Sequence, residues 1–157
     1  LVFSQPEPDL IQEMERVEIA YLYQSTVSQP VEFFHSLFLA YYRKEPLNLW
    51  SIQEEDPSQV CTIAEDGTEV LPRGLTPHDL RGDRMSFLQY LRTGLAASRG
   101  ECSGCDYLAE CCGYFKWPNQ AYSCSGVKAI FGTLRAAAEQ LREDLSSFSN
   151  EGGEALP

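Results

Sequence analysis

Five of the six cysteines in this chain fall within one stretch, ECSGCDYLAECCGYFKWPNQAYSC, residues 101–124; the sixth, Cys61, stands apart. Sulfur gathered this way dictates what its loop has to do. Cys102 and Cys105 are separated by two residues, so a tight turn brings both sulfurs to one side, where they can share a metal. Cys111 follows and Cys124 closes the segment. Four thiolates suffice for a tetrahedral zinc or a cubane iron–sulfur cluster. Gly104 is free to take positive φ inside the knuckle and turn backbone N–H groups toward sulfur.

Other uses of the thiols have less support. An even cysteine count permits three disulfides, but LVFSQPEPD lacks the basic-then-apolar order of a secretory signal. A chain that is 43% hydrophobic can also bury a core without staples. A zinc ribbon usually carries two Cys-x-x-Cys knuckles, and only one is present here. A redox Cys-x-x-Cys belongs at a helix start after a strand. Spacing alone leaves zinc and iron–sulfur both open. Adjacent side chains diverge, so Cys112 is expected to be a packed thiol rather than a ligand, and Cys61 to be a core residue on a strand.

The pattern along the chain predicts an α+β fold: a helical N-terminal part, a small β-hairpin, the cysteine-rich loop and a long C-terminal helix. Leu10, Met14, Val17 and Tyr21 share a helical face, with Asp9 as cap. Ser28-Gln-Pro30 opens a second helix with an aromatic face of Phe34, Leu37, Phe38, Tyr41 and Tyr42, ended by Glu45-Pro46. Residues 51–58, SIQEEDPS, read as a solvated linker that includes Glu54, Glu55 and Asp56. VCTIAEDGTEVLP carries the turn Asp66-Gly67 of a hairpin. Thr76, Pro77 and Asp79 form a capping-box start to a helix bearing Leu80, Phe87, Leu88 and Leu91 and fading at Gly94. Ser123 or Ser125 caps the last helix. Its apolar face, Val127 through Leu134 and Ala138 to Leu141, Leu145 and Phe148, is expected to pack on the N-terminal elements as far as Leu145. The tail SNEGGEALP is expected to be disordered.

Charge narrows the partners. With 12 basic and 23 acidic side chains, net −11, the chain lacks the Lys/Arg cluster that phosphate binding needs, so nucleic acid is not an expected partner. No apolar run is long enough for a membrane span, and a cytoplasmic location is expected. His35 and His78 lie where a core-edge and a solvated residue are expected, giving little basis for a nucleophile–base pair.

Cys102-x2-Cys105-x5-Cys111, then Cys124 and a helix, resembles the C-terminal SPASM region of radical SAM peptide maturases. The hairpin VCTIAEDGTEVLP and the run CCGYFKWPNQAYSCSGVKAIFGTLRAAAEQL carry the same resemblance, which covers about residues 58–145. It implies three divisions: residues 1–57 as the end of a radical SAM barrel, 58–148 as an auxiliary-cluster domain, and 149–157 as a tail. It implies that Cys102, Cys105, Cys111 and Cys124 bind one auxiliary 4Fe–4S cluster. Two further ligand positions, for a second auxiliary cluster, hold Phe115 and Pro72 instead, so that cluster is expected to be missing.

The sequence has no Cys-x3-Cys-x2-Cys triad for the cluster that cleaves S-adenosylmethionine. The resemblance therefore implies part of a larger enzyme that modifies a ribosomally made precursor peptide. S-adenosylmethionine and the second 4Fe–4S cluster, the one that cleaves it, are expected only in that full-length protein. The chain alone is expected not to be catalytically self-sufficient. The alternative is a zinc-stabilised protein-binding module without a redox role. The aromatic run Tyr107, Tyr114, Phe115, Trp117 and Tyr122 is expected to form a dry shell around the ligands, and Lys116 to offset thiolate charge.

Overall fold

A computed structural model describes residues 5–26, 29–80, 84 and 87–151, without the side chains of 149–151. Six helices and one hairpin follow one another: α1 Pro8–Tyr23, α2 Glu32–Arg43, α3 Leu49–Ile52, β1 Thr62–Ile63, β2 Glu69–Val70, α4 Phe87–Ala97, α5 Leu108–Cys111 and α6 Ser125–Glu151. The strands are antiparallel, with Thr62 opposite Val70 and Ile63 opposite Glu69. The architecture is α+β: mostly helical, with a two-stranded hairpin and a long C-terminal helix.

Local chemistry explains most boundaries. Pro8 sits in the first turn of α1, where its missing N–H costs nothing. The cap position is Glu7 rather than Asp9, and no side chain caps it. α2 starts at Glu32 and stops at Lys44, which takes a left-handed conformation; Glu45 then closes back on the Ala40 carbonyl at 3.1 Å. Asn48 caps α3 by accepting the Ser51 N–H at 3.1 Å. Asp66 accepts from the N–H and hydroxyl of Thr68, fixing the hairpin turn, with Gly67 at φ 81°. Thr76 and Asp79 bond as a capping box would, but residues 77–80 form a turn rather than a helix; residues 81–83, 85 and 86 lie outside the described residues, and α4 is Phe87–Ala97, running past Gly94.

α6 is the spine, packed along α1 and α2. Val127, Ile130, Phe131, Leu134 and Ala138 are buried, whereas Leu141, Leu145 and Phe148 are exposed. The burying face thus stops about two turns short of Leu145, because α1 and α2 run out beneath it. α1 also presents a different stripe from the expected one. Ile11 is buried and Met14 and Tyr21 of the expected face pack against the core, while Leu10 and Val17 are exposed. Ile11 meets Gly126 of α6, where an added Cβ would stand 2.5 Å from Ile11 Cγ2. Residues 1–57 and 58–148 share a single hydrophobic core, so the expected division at 57 is not a division of the packing. Ser28 and the tail from Gly152 lie outside the described residues; Ser149 to Glu151 are helical rather than disordered.

The largest departure is the acidic stretch. It is not a solvated linker. Trp50 and Leu49 are fully buried, and Asp56 is 2% exposed. Asp56 accepts from the N–H and hydroxyl of Ser58 and from Gln59 Nε2. Glu55 pairs with Arg73 at 3.4 Å and accepts the Tyr114 hydroxyl at 2.7 Å. Arg73 is itself buried and left-handed at φ 52°, its guanidinium 4.0 Å from the Tyr114 ring centroid. Breaking a buried pair leaves one charge uncompensated, so Arg73→Met is expected to lower the unfolding free energy by about 3 kcal/mol in urea titrations. An unchanged midpoint would show that the pair carries no stability.

Glu18, on α1, is 1% exposed and its Oε1 has no partner. Burial, helped by Glu15, pushes its carboxyl up to about 8. The folded chain then keeps a proton that the unfolded chain releases near 4.5. Stability is therefore full below that ordinary value and is lost as pH rises toward about 8. Glu18→Gln is expected to flatten this loss. Urea midpoints at about pH 5 and pH 9 should fall between the two for the native chain and stay level for the variant.

Candidate metal centre

The cysteine segment builds its site in three steps. The Cys102–Cys105 knuckle closes first: Cys105 N–H donates to the Cys102 carbonyl at 3.2 Å, and Gly104 takes φ 82°. α5 follows, one turn ending at Cys111. Two consecutive left-handed residues, Cys112 at φ 46° and Gly113 at φ 74°, then reverse the chain. This reversal brings the backbone N–H groups of Gly113, Tyr114 and Phe115 near enough to Cys111 to act on its thiol. Gly113 has no substitute there, since a Cβ would lie 2.2 Å from Leu95 Cδ1. Trp50 Nε1 donates to the Cys112 carbonyl at 3.2 Å and holds the reversal from the core side.

Cys124, immediately before α6, completes the set. Cys102, Cys105, Cys111 and Cys124 line one cavity, with Leu108, Phe115, Val127 and Phe131 as apolar walls. The cavity is small, about 20 Å³, room for about one water molecule. Glu101 and Lys128 stand at its edge. Glu101 ties the segment shut: its carboxylate meets Lys116 Nζ at 2.7 Å and Lys128 Nζ at 3.0 Å and accepts the Cys124 N–H at 3.1 Å. Burial opposes the Glu101 charge, but these three donors outweigh it and hold the carboxyl down at about 2.

The thiols are poised differently from free cysteine. Burial pushes Cys111 up to about 12 despite its three N–H donors, and burial pushes Cys124 to about 11 despite Lys116. Burial also raises Cys102, again against Lys116. All six cysteines are free thiols, so no disulfide framework is present.

The other two cysteines stand apart. Cys112 is buried, as expected, and its Sγ donates to the Ala109 carbonyl at 3.0 Å. Its less foreseeable role lies in its backbone. Cys61 is not in the core: it is exposed, just ahead of β1, with Glu69 Oε1 3.5 Å from its Sγ.

The aromatic run also divides. Tyr107 and Phe115 line the cavity, and Phe115 stacks on Tyr122 at 6.5 Å. Tyr114 and Trp117 face the other way, toward Arg73, Trp50 and Phe87. Lys116 is buried at 5% exposure. His35 makes a hydrogen bond with the Tyr21 hydroxyl at 2.8 Å, and His78 is exposed.

Four thiols on one cavity are a donor set that zinc and iron–sulfur sites share. Tetrahedral zinc with bonds of about 2.3 Å needs its sulfurs only about 3.8 Å apart. Among the described residues no three His, Cys, Asp or Glu side chains are grouped to hold one ion. In a cubane each thiolate has its own iron, so four sulfurs surround a shared volume rather than one ion. The chain matches no family model, no curated protein and no solved structure. Among the described residues no helix is long and apolar enough to cross a membrane.

Native thiol labelling should report this geometry directly. Cys61 is expected to react rapidly with a maleimide or disulfide reagent, and Cys61→Ser to remove that fast phase. The cavity thiols should react slowly until the chain is denatured. Fast labelling of Cys111 or Cys124 would contradict the enclosed site.

Proposed function

We propose that the chain is the auxiliary 4Fe–4S domain of a radical SAM/SPASM enzyme acting on a ribosomally made precursor peptide. The observation that carries this reading is the convergence of Cys102, Cys105, Cys111 and Cys124 on one apolar-walled cavity. These four residues would hold the cluster. When bound, such a cluster supplies one-electron transfer.

The chain's own groups would prepare that site. Gly113, Tyr114 and Phe115 N–H groups act on the Cys111 thiol and would favour its thiolate. Leu108, Phe115, Val127 and Phe131 would keep water from the sulfurs. With all four positions supplied by protein thiolates, no iron site would remain open for a substrate, which favours electron transfer or support over direct substrate ligation. Hydrogen abstraction would belong to the parts of the enzyme that carry the S-adenosylmethionine site and would take place on the precursor peptide.

The zinc-stabilised binding module uses the same four thiols. Anaerobic reconstitution with iron and sulfide separates the two. About four iron and four sulfide per chain, with a broad visible band, is the expected result. Cys111→Ser and Cys124→Ser should lose most of both, whereas Cys112→Ser and Cys61→Ser should keep them. One tightly held zinc and no sulfide would overturn the cluster reading.

A further inference from the structure

We infer that Lys116 and Lys128, one on each oxygen of the Glu101 carboxylate, set the reduction potential of the redox centre held by Cys102, Cys105, Cys111 and Cys124. The inference rests on the cluster reading above. Its observations are independent of the cysteine spacing.

Lys116 is buried at 5% exposure, an uncommon place for an ammonium. A single carboxylate, Glu101, serves both lysines, so the group carries one surplus positive charge. Lys116 is also anchored by the Tyr122 carbonyl, which accepts from Nζ and fixes the ammonium without neutralising it. A simple staple would need one lysine and one carboxylate. The surplus charge lies beside the thiols: Lys116 Nζ and the Cys124 N–H meet the same Glu101 carboxylate oxygen, at 2.7 and 3.1 Å. Glu101 and Lys128 belong to the wall of the cysteine cavity itself.

The consequence follows from charge alone. One electron enters the bound centre from an external reductant; no bond forms or breaks and no proton is needed. Added negative charge beside a surplus cation is stabilised, so the lysines raise the potential. Glu101 opposes them and also holds them in place. Cluster potentials respond to such local charge and to solvent exposure. Removing a lysine and removing the carboxylate should therefore move the potential in opposite directions. A purely structural role would not produce that inversion.

The test uses the reconstituted chain, with Lys116→Met, Lys128→Met, Lys128→Arg and Glu101→Gln. Each is titrated anaerobically with a chemical reductant, and the reduced fraction is read from the visible band and the EPR signal. At fixed potential, each Lys→Met variant is expected to cut the reduced-to-oxidised ratio about tenfold, a shift of about 59 mV downward for one electron. Glu101→Gln should raise that ratio by a similar factor, since Tyr122 still holds Lys116. Lys128→Arg should stay near the native value. Should Lys116→Met not fold, Lys128→Met and Glu101→Gln decide alone, because Lys128 and Glu101 are only half-buried. Potentials that stay put, or that all move the same way, overturn the inference while leaving the cluster reading intact. A native chain that takes up no iron and sulfide removes both.

Discussion

The site depends on one carboxylate. Glu101 precedes the first cysteine of the segment, yet it accepts the backbone N–H of the last, Cys124, at 3.1 Å. It also reaches Lys116 in the middle of the segment and Lys128 one turn into α6. The loop is thereby closed at both ends and braced at its centre. That closure adds to the hold of α6, where the Lys128 N–H donates to the Cys124 carbonyl at 2.8 Å. A chain of this length between ligands loses considerable entropy on closing, and charged hydrogen bonds to a nearly buried lysine are strong enough to offset part of it.

The core adds a second constraint from the opposite side. Trp50 is fully buried and packs edge-on against Phe87 and Tyr114, each at 5.3 Å between centroids. Its indole N–H bonds the Cys112 carbonyl, so a four-residue helix from the N-terminal half fixes the reversal that follows Cys111. Arg73 extends the same layer, bonding the Trp117 carbonyl at 3.0 Å while Trp117 Nε1 returns a bond to the Arg73 carbonyl at 3.2 Å. The positive φ of Arg73 and Cys112 is strain that this packing sustains. The four-cysteine cavity thus sits between a charged clasp and an aromatic layer, each anchoring different residues of one loop.

These relations explain what could be read in advance. The helix positions, the hairpin turn and the Val127–Ala138 face follow local periodicity and turn chemistry, which neighbouring residues set. α1 was misread because two stripes compete. Leu10, Met14, Val17 and Tyr21 are uniformly apolar, whereas the buried stripe from Ile11 includes Glu18, and a carboxyl breaks the apolar pattern. Glu55 looks like a linker charge until Arg73 and Tyr114, both far along the chain, come near, whereas Asp56 is held by its neighbours Ser58 and Gln59. Among the cysteines, the Cys102–Cys105 knuckle is a local signal. The place of Cys124 beside it is a consequence of the fold. Glu101 gives no local signal because its three partners, Lys116, Cys124 and Lys128, all lie well beyond the knuckle; a carboxylate flanking a cysteine knuckle, with two lysines downstream, is the only clue in the sequence.

The two positions where the resemblance would put ligands of a second cluster show why one site can suffice. Phe115 is 4% exposed and packs against Phe131 and Tyr122, so it seals the wall of the existing cavity. Pro72 opens the short turn that forces Arg73 into the core. A buried guanidinium stacked on Tyr114, held by Glu55 and bonded to the Trp117 carbonyl, cross-links the hairpin end to the cysteine loop. A metal cluster does the same mechanical work by drawing distant loops onto one centre. Here the cross-link is made from side chains alone, and its charge is spent on Glu55 rather than on sulfur. Lys116 and Lys128, by contrast, act electrostatically on three of the four cavity thiols, Cys102, Cys105 and Cys124.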